Sequence, residues 1–188
     1  MELNMNKLLV LIMACIVPVT VMAAQDEVDG GFGLKFGEVV DVTKLEKLNN
    51  EKSDGLRYAF TPEHPYGPLT QYEVVVIPKS NKVFKIEASE QFGSMGECRR
   101  ELQRLEKVLS RKYQRTSARM STRFGDIPKI TYGKTSKNIM ALCKGVFNNR
   151  QLVLTYIDSD LLSEMKMEGS SAKEKNKVQK TAPDTSGL

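Results

Sequence analysis

Cys98, Leu102, Leu105, Leu109 and Tyr113 return at spacings of four, three, four and four residues, and no other pattern constrains this chain of 188 residues as tightly. At about 100° per residue they form one narrow stripe, which predicts an α-helix over 97–113 laid on an apolar core. The core must therefore offer a flat apolar surface, and the flanking sequence supplies strands to build it. Tyr72 to Ile77 is strongly β-forming, and Val83 to Ala88 alternates Phe84, Ile86 and Ala88 against Lys85 and Glu87. Pro78-Lys79-Ser80-Asn81 turns one into the other. Leu56 to Phe60 is a weaker strand, separated from them by the proline-rich loop 61–68, which holds His64 and Tyr66.

A second hairpin is expected further along, from Asn138 to Phe147 and from Arg150 to Ile157 around an Asn148-Asn149 turn. That turn sets Cys143 opposite Leu154 and Ala141 opposite Tyr156. One face then carries Ala141, Cys143, Leu152, Leu154 and Tyr156, and it should meet the helix that bears Cys98. Polar residues 117–129 read as loop. Asp158 or Ser159 can cap a last helix through Leu161, Leu162 and Met165, ended by Gly169. The chain thus reads as two hairpin-then-helix units, 72–113 and 138–168. The fold class expected is α+β, an antiparallel sheet with its helices on one face and one disulfide.

The N-terminus reads as an export signal over residues 1–24. Lys7 precedes apolar Leu8 to Val21, and Met22-Ala23-Ala24 leads into polar Gln25-Asp26-Glu27. Processing as a lipoprotein at Cys15 is the rival reading. Cleavage of the signal would leave a periplasmic or secreted protein with Cys98 and Cys143 as its remaining cysteines. An oxidising compartment would join them in a disulfide. Residues 25–55 form a glycine-rich leader with a short helix over Val42 to Leu48, 56–168 a single α+β domain, and 169–188 a disordered Lys- and Ser-rich tail. Gly31-x-Gly33 lacks the third glycine of a dinucleotide fingerprint, since Phe36 stands there.

Function is less legible than fold. Between Glu97 and Arg123 lie nine basic residues against three acids, an excess larger than the +5 of the whole chain. Arg100, Arg104, Lys107, Arg111 and Arg115 fall on the expected helix about 200° round from the apolar stripe, so they should face away from the core. Such a row suits an anionic envelope surface or an acidic protein. It carries no aromatic residue to stack bases, which argues against nucleic acid. His64, beside Glu63 and Tyr66, is the one acid–base candidate, and the sequence sets no nucleophile or metal ligands near it. No cofactor or metal motif is present.

The segment Phe32-Gly33-Leu34-Lys35-Phe36-Gly37, the strand–hairpin–helix order and the Cys98/Cys143 pair together resemble small exported bacterial proteins of unassigned function that open with an FGLxFG-like segment. The resemblance implies a periplasmic α+β protein and no catalytic residues. The expectation is a non-catalytic binding or accessory protein of the envelope, inhibitor or immunity proteins among the possibilities, working through the basic row and the His64–Tyr66 loop. The alternative is a small envelope hydrolase centred on His64. No transmembrane anchor is expected.

Overall fold

The computed structural model describes residues 27–49, 55–122, 125–133, 136–145 and 150–167. The expected export signal, Cys15, the expected Asn148-Asn149 turn and the tail from 169 onward lie outside the described residues. Two short strands, β1 (Gly30–Gly31) and β2 (Leu34–Lys35), form a separate hairpin. Eight more make one antiparallel sheet: β3 (Glu46–Lys47), β4 (Leu56–Ala59), β5 (Gln71–Val76), β6 (Val83–Phe92), β7 (Arg115–Thr122), β8 (Gly125–Tyr132), β9 (Lys137–Lys144) and β10 (Arg150–Asp158). Their order across the sheet is β3-β4-β5-β6-β10-β9-β8-β7. Helix α1 (Met95–Leu109) follows β6, and α2 (159–167) follows β10. The class is α+β.

Chain order therefore runs four strands and a helix, twice, and the two halves meet where β6 pairs with β10. The helices lie on opposite faces, which corrects the expectation that both would share one. Cys98, Leu102, Leu105 and Leu109 of α1 are buried against Val74, Val76, Ile86, Ala88, Ala141, Cys143, Leu152 and Leu154. From α2, Leu161, Leu162 and Met165 instead meet Val75, Ile77 and Phe84. The cause is in β5. Val74-Val75-Val76-Ile77 is fully buried throughout, and an unbroken apolar run on an alternating strand needs cover on both faces. A twofold axis normal to the sheet would keep both helices on one face, so the halves are not related by one.

Each helix is capped by its own sequence. The Ser94 hydroxyl accepts from the Glu97 N–H (3.2 Å), while the Glu97 carboxylate accepts from the Ser94 N–H (3.1 Å), a reciprocal capping box. At α2, Asp158 accepts from the N–H groups of Asp160 and Leu161 at 3.0 and 3.1 Å. Where a helix was expected at 42–48 there is one 3₁₀ turn, Val42–Lys44, followed by β3. Residues expected as loop, 117–129, mostly form the β7–β8 hairpin. That sequence has no apolar alternation to announce a strand, because β7 pairs on one side only, at the sheet's edge.

The β9–β10 register also differs. Cys143 stands opposite Leu152 and Ala141 opposite Leu154, two positions from the expected pairing. The strands end at Lys144 and Arg150, so the connection is longer than a two-residue turn. A slip of two preserves which side chains share a face, and the expected five all lie on the α1 side. Cys98 and Cys143 are joined in a disulfide with Cα atoms 6.0 Å apart, stapling the first turn of α1 to β9.

Candidate functional site

The basic row is shorter on the helix than its spacing suggests. Arg100, Arg104 and Lys107 stand exposed on the outer face of α1, but the helix ends at Leu109. Arg111 sits in the following turn. Arg115 opens β7, where its guanidinium binds the Glu106 carboxylate. Arg104 reaches back to Glu101 at 3.1 Å. Arg99, Arg100, Lys107 and Arg111 have no acidic partner among the described residues.

Only Lys107 of these four lies in the last turn of α1, where the macrodipole favours positive charge. On the helix Arg100 and Arg104 stand at i,i+4 spacing, where like charges repel at a cost of roughly 0.2–0.5 kcal/mol. Arg99 and Arg100 lie one turn in from the helix N-terminus. The nearest acid, Glu97, is folded back into the capping box. Val108, 48% exposed, sits among them as an apolar residue open to solvent.

Glu101, one of the three acids between Glu97 and Arg123, is a charged residue that the fold buries, at 4% exposed. At about 60° from Cys98 round the helix it borders the apolar stripe, which is the signal that could have found it. Its carboxylate accepts a 2.8 Å hydrogen bond from the Tyr66 hydroxyl. Burial, and after it the Glu101 carboxylate, push that hydroxyl well above the ordinary tyrosine range. Tyr66 is thus an anchor that ties the proline loop to α1. Tyr72 completes the anchorage: its hydroxyl accepts from the Tyr66 N–H (3.0 Å) and donates to the Leu69 carbonyl (2.9 Å).

Held this way, the loop leaves His64 exposed on a groove of about 340 Å³. Lys112 and Tyr113, just past α1, form one side, and the β1–β2 hairpin forms the other. That hairpin is docked firmly. Its turn residues Phe32 and Gly33 have φ of 56° and 92°, the pairing of a type I′ turn, and a bulky residue rarely takes the first of these. Phe32 is held there edge-on to Tyr72 and Tyr156, with ring centroids 5.0 and 5.6 Å away. Gly31 lies flat on the Tyr156 ring, where a Cβ would come within 3.0 Å.

His64 makes no hydrogen bond or ion pair among the described residues, and no nucleophile is aligned with it. The carboxylates on its groove, Glu27 and Asp29, face Lys137 at 3.5 and 3.7 Å. Among the described residues no three His, Cys, Asp or Glu side chains converge as a metal site, and no helix is long and apolar enough to cross a membrane. The structure thus separates two groups expected to act together: Arg100, Arg104 and Lys107 on the outside of α1, and His64 on a groove beyond its end. No protein-family model, curated protein or solved structure matches this chain.

Proposed function

We propose that this protein is a non-catalytic binding protein of the cell envelope, exported by residues 1–24, that docks on an anionic surface through the outer face of α1. One observation carries the reading: Arg99, Arg100, Lys107 and Arg111 are exposed, and none of them has an acidic partner among the described residues. A solvated face optimised for stability would interleave acids among them. The disulfide, bridging the first turn of α1 to the sheet, supports the reading by presenting the row on a rigid support. Exposed Val108 adds an apolar contact at the centre of the row.

The test is flotation of residues 25–188 with vesicles containing phosphatidylglycerol, beside vesicles of phosphatidylcholine alone, at low ionic strength. The parent protein should float with the first and not the second. The variant Arg100→Glu/Lys107→Glu/Arg111→Glu should stay in solution while unfolding at the parent's midpoint. A parent that ignores anionic vesicles at low salt leaves the row as a solvated face and refutes the reading.

A further inference from the structure

We propose that a second groove, between the β1–β2 hairpin and the strap of chain that follows it, binds a small amphipathic cation. The ligand is a short alkyl chain or a single aromatic ring carrying one ammonium group. No residue of the α1 row lines this groove, so the proposal does not rest on the reading above. The groove holds about 420 Å³, within the range of small-ligand sites, and like them it is lined mainly by apolar side chains. Phe32 and Leu34 come from the hairpin, Val39 and Val40 from the strap, Leu45 from beyond the 3₁₀ turn and Phe60 from just past β4. Five of these six are only partly buried against the core, and Val39 is 68% exposed. Exposed apolar residues scattered singly are ordinary, whereas six gathered round one concavity form a surface that a ligand can cover.

The walls are fixed by the fold itself. The Gly37 N–H donates to the Val83 carbonyl (2.8 Å), the Val83 N–H to the Glu38 carbonyl (2.9 Å) and the Val40 N–H to the Asn81 carbonyl (3.2 Å). These bonds fasten the strap to the start of β6 and the turn before it. Phe32 and Phe60 both stand edge-on to Tyr72, with ring centroids 5.0 and 6.1 Å away. Charge then selects the occupant. Three carboxylates line the groove, Glu38, Asp41 and Glu63, against the one ammonium of Lys44. Lys44 pairs with Asp41 at 3.0 Å, and Asp41 also accepts from the Thr43 N–H and hydroxyl. Glu38 accepts the Lys35 backbone N–H at 3.0 Å, but neither it nor Glu63 has a cationic partner among the described residues. An anion would meet two uncompensated carboxylates, and a neutral apolar molecule would leave both unanswered. A cation with an apolar body matches the lining and its charges together. Aromatic rings such as Phe32 and Phe60 add to this, since a ring face attracts an ammonium lying over it.

Four probes separate the apolar body from the charge: hexyltrimethylammonium, hexanoate, hexanol and tetramethylammonium. Each is titrated into the folded protein at fixed pH and ionic strength. The readout is methyl NMR of protein labelled at leucine and valine, in which Leu34, Val39, Val40 and Leu45 report on the groove. The expected result is saturable shifts at these four residues with hexyltrimethylammonium, at least fivefold tighter than with any other probe. The chain's net charge of +5 would by itself favour hexanoate, so a preference for the cation must come from Glu38 and Glu63. The variant Glu38→Gln/Glu63→Gln keeps an acceptor for the Lys35 N–H. It should bind hexyltrimethylammonium about fivefold more weakly and hexanol no differently. A smaller preference over any of the three other probes would overturn the proposal. So would shifts centred outside the groove, shifts that stay linear for every probe, or a variant that binds the cation as tightly as the parent. None of these results bears on flotation, so the two readings fail separately.

Discussion

Removing the Cys98–Cys143 disulfide should destabilise the protein by about 4 kcal/mol. The bridge spans 45 residues, and closing a loop of that length in the unfolded chain accounts for this figure in the chain-entropy description. Replacement by alanine is the right perturbation, because both cysteines are buried and a serine would strand a hydroxyl in the core. Urea unfolding of Cys98→Ala/Cys143→Ala, followed by circular dichroism, should show a lower midpoint with an equal or steeper slope, since the uncrosslinked denatured state exposes more surface. Domains of this kind have only about 5–15 kcal/mol in total, so the variant should fold but sit near the edge of stability. Thiol reduction of the parent should reproduce the shift. A loss below about 1 kcal/mol would refute the reasoning, because α1 would then be held by packing alone and the staple would constrain little.

Two further outcomes follow from buried polar contacts. Burial pushes the Glu87 carboxyl up, but Lys85 and Arg57 outweigh it and hold the pKa below its ordinary value. A depressed carboxylate stabilises above its unfolded pKa and loses that contribution as pH falls through the folded one, so Glu87→Gln should lose stability at pH 7 and show a flatter acid limb below about pH 4.3; an unchanged acid limb would contradict this. Tyr66→Phe should cost about 1–3 kcal/mol by leaving the buried Glu101 carboxylate short of a donor, and Tyr66→Phe with Glu101→Gln should cost less than the two single changes added, which a double-mutant cycle reads directly.

How much of this was legible from the residues varies with the physics behind each element. The α1 stripe, the β5–β6 hairpin and the disulfide follow from periodicity and from cysteine arithmetic, which are strong when one face is apolar and the other wet. The register of β9 and β10 was two positions off, yet the core assignments survived because strand faces repeat every two residues. Strand β7 was invisible, since an edge strand held by backbone hydrogen bonds needs no apolar alternation. The second helix face was readable in Val74-Val75-Val76-Ile77, since four apolar residues in a row on a strand demand cover on both faces. At the site, charge was legible and pairing was not. Sequence shows Arg104, Arg115 and Glu101 as charges, but only the packed structure shows that Arg104 and Arg115 are engaged and that Glu101 is buried beneath Tyr66.

The most direct test of the central claim is the affinity of the protein for anionic vesicles as a function of salt, measured for the parent and for Arg100→Gln/Lys107→Gln/Arg111→Gln. Each basic residue near an anionic surface contributes about 1 kcal/mol, so neutralising three should weaken binding roughly 100-fold at low salt. The parent's affinity should fall steeply as salt rises and the variant's should fall less, because fewer charges remain to be screened. Equal affinities and equal salt dependence for the two proteins would contradict the claim that the outer face of α1 is the binding surface.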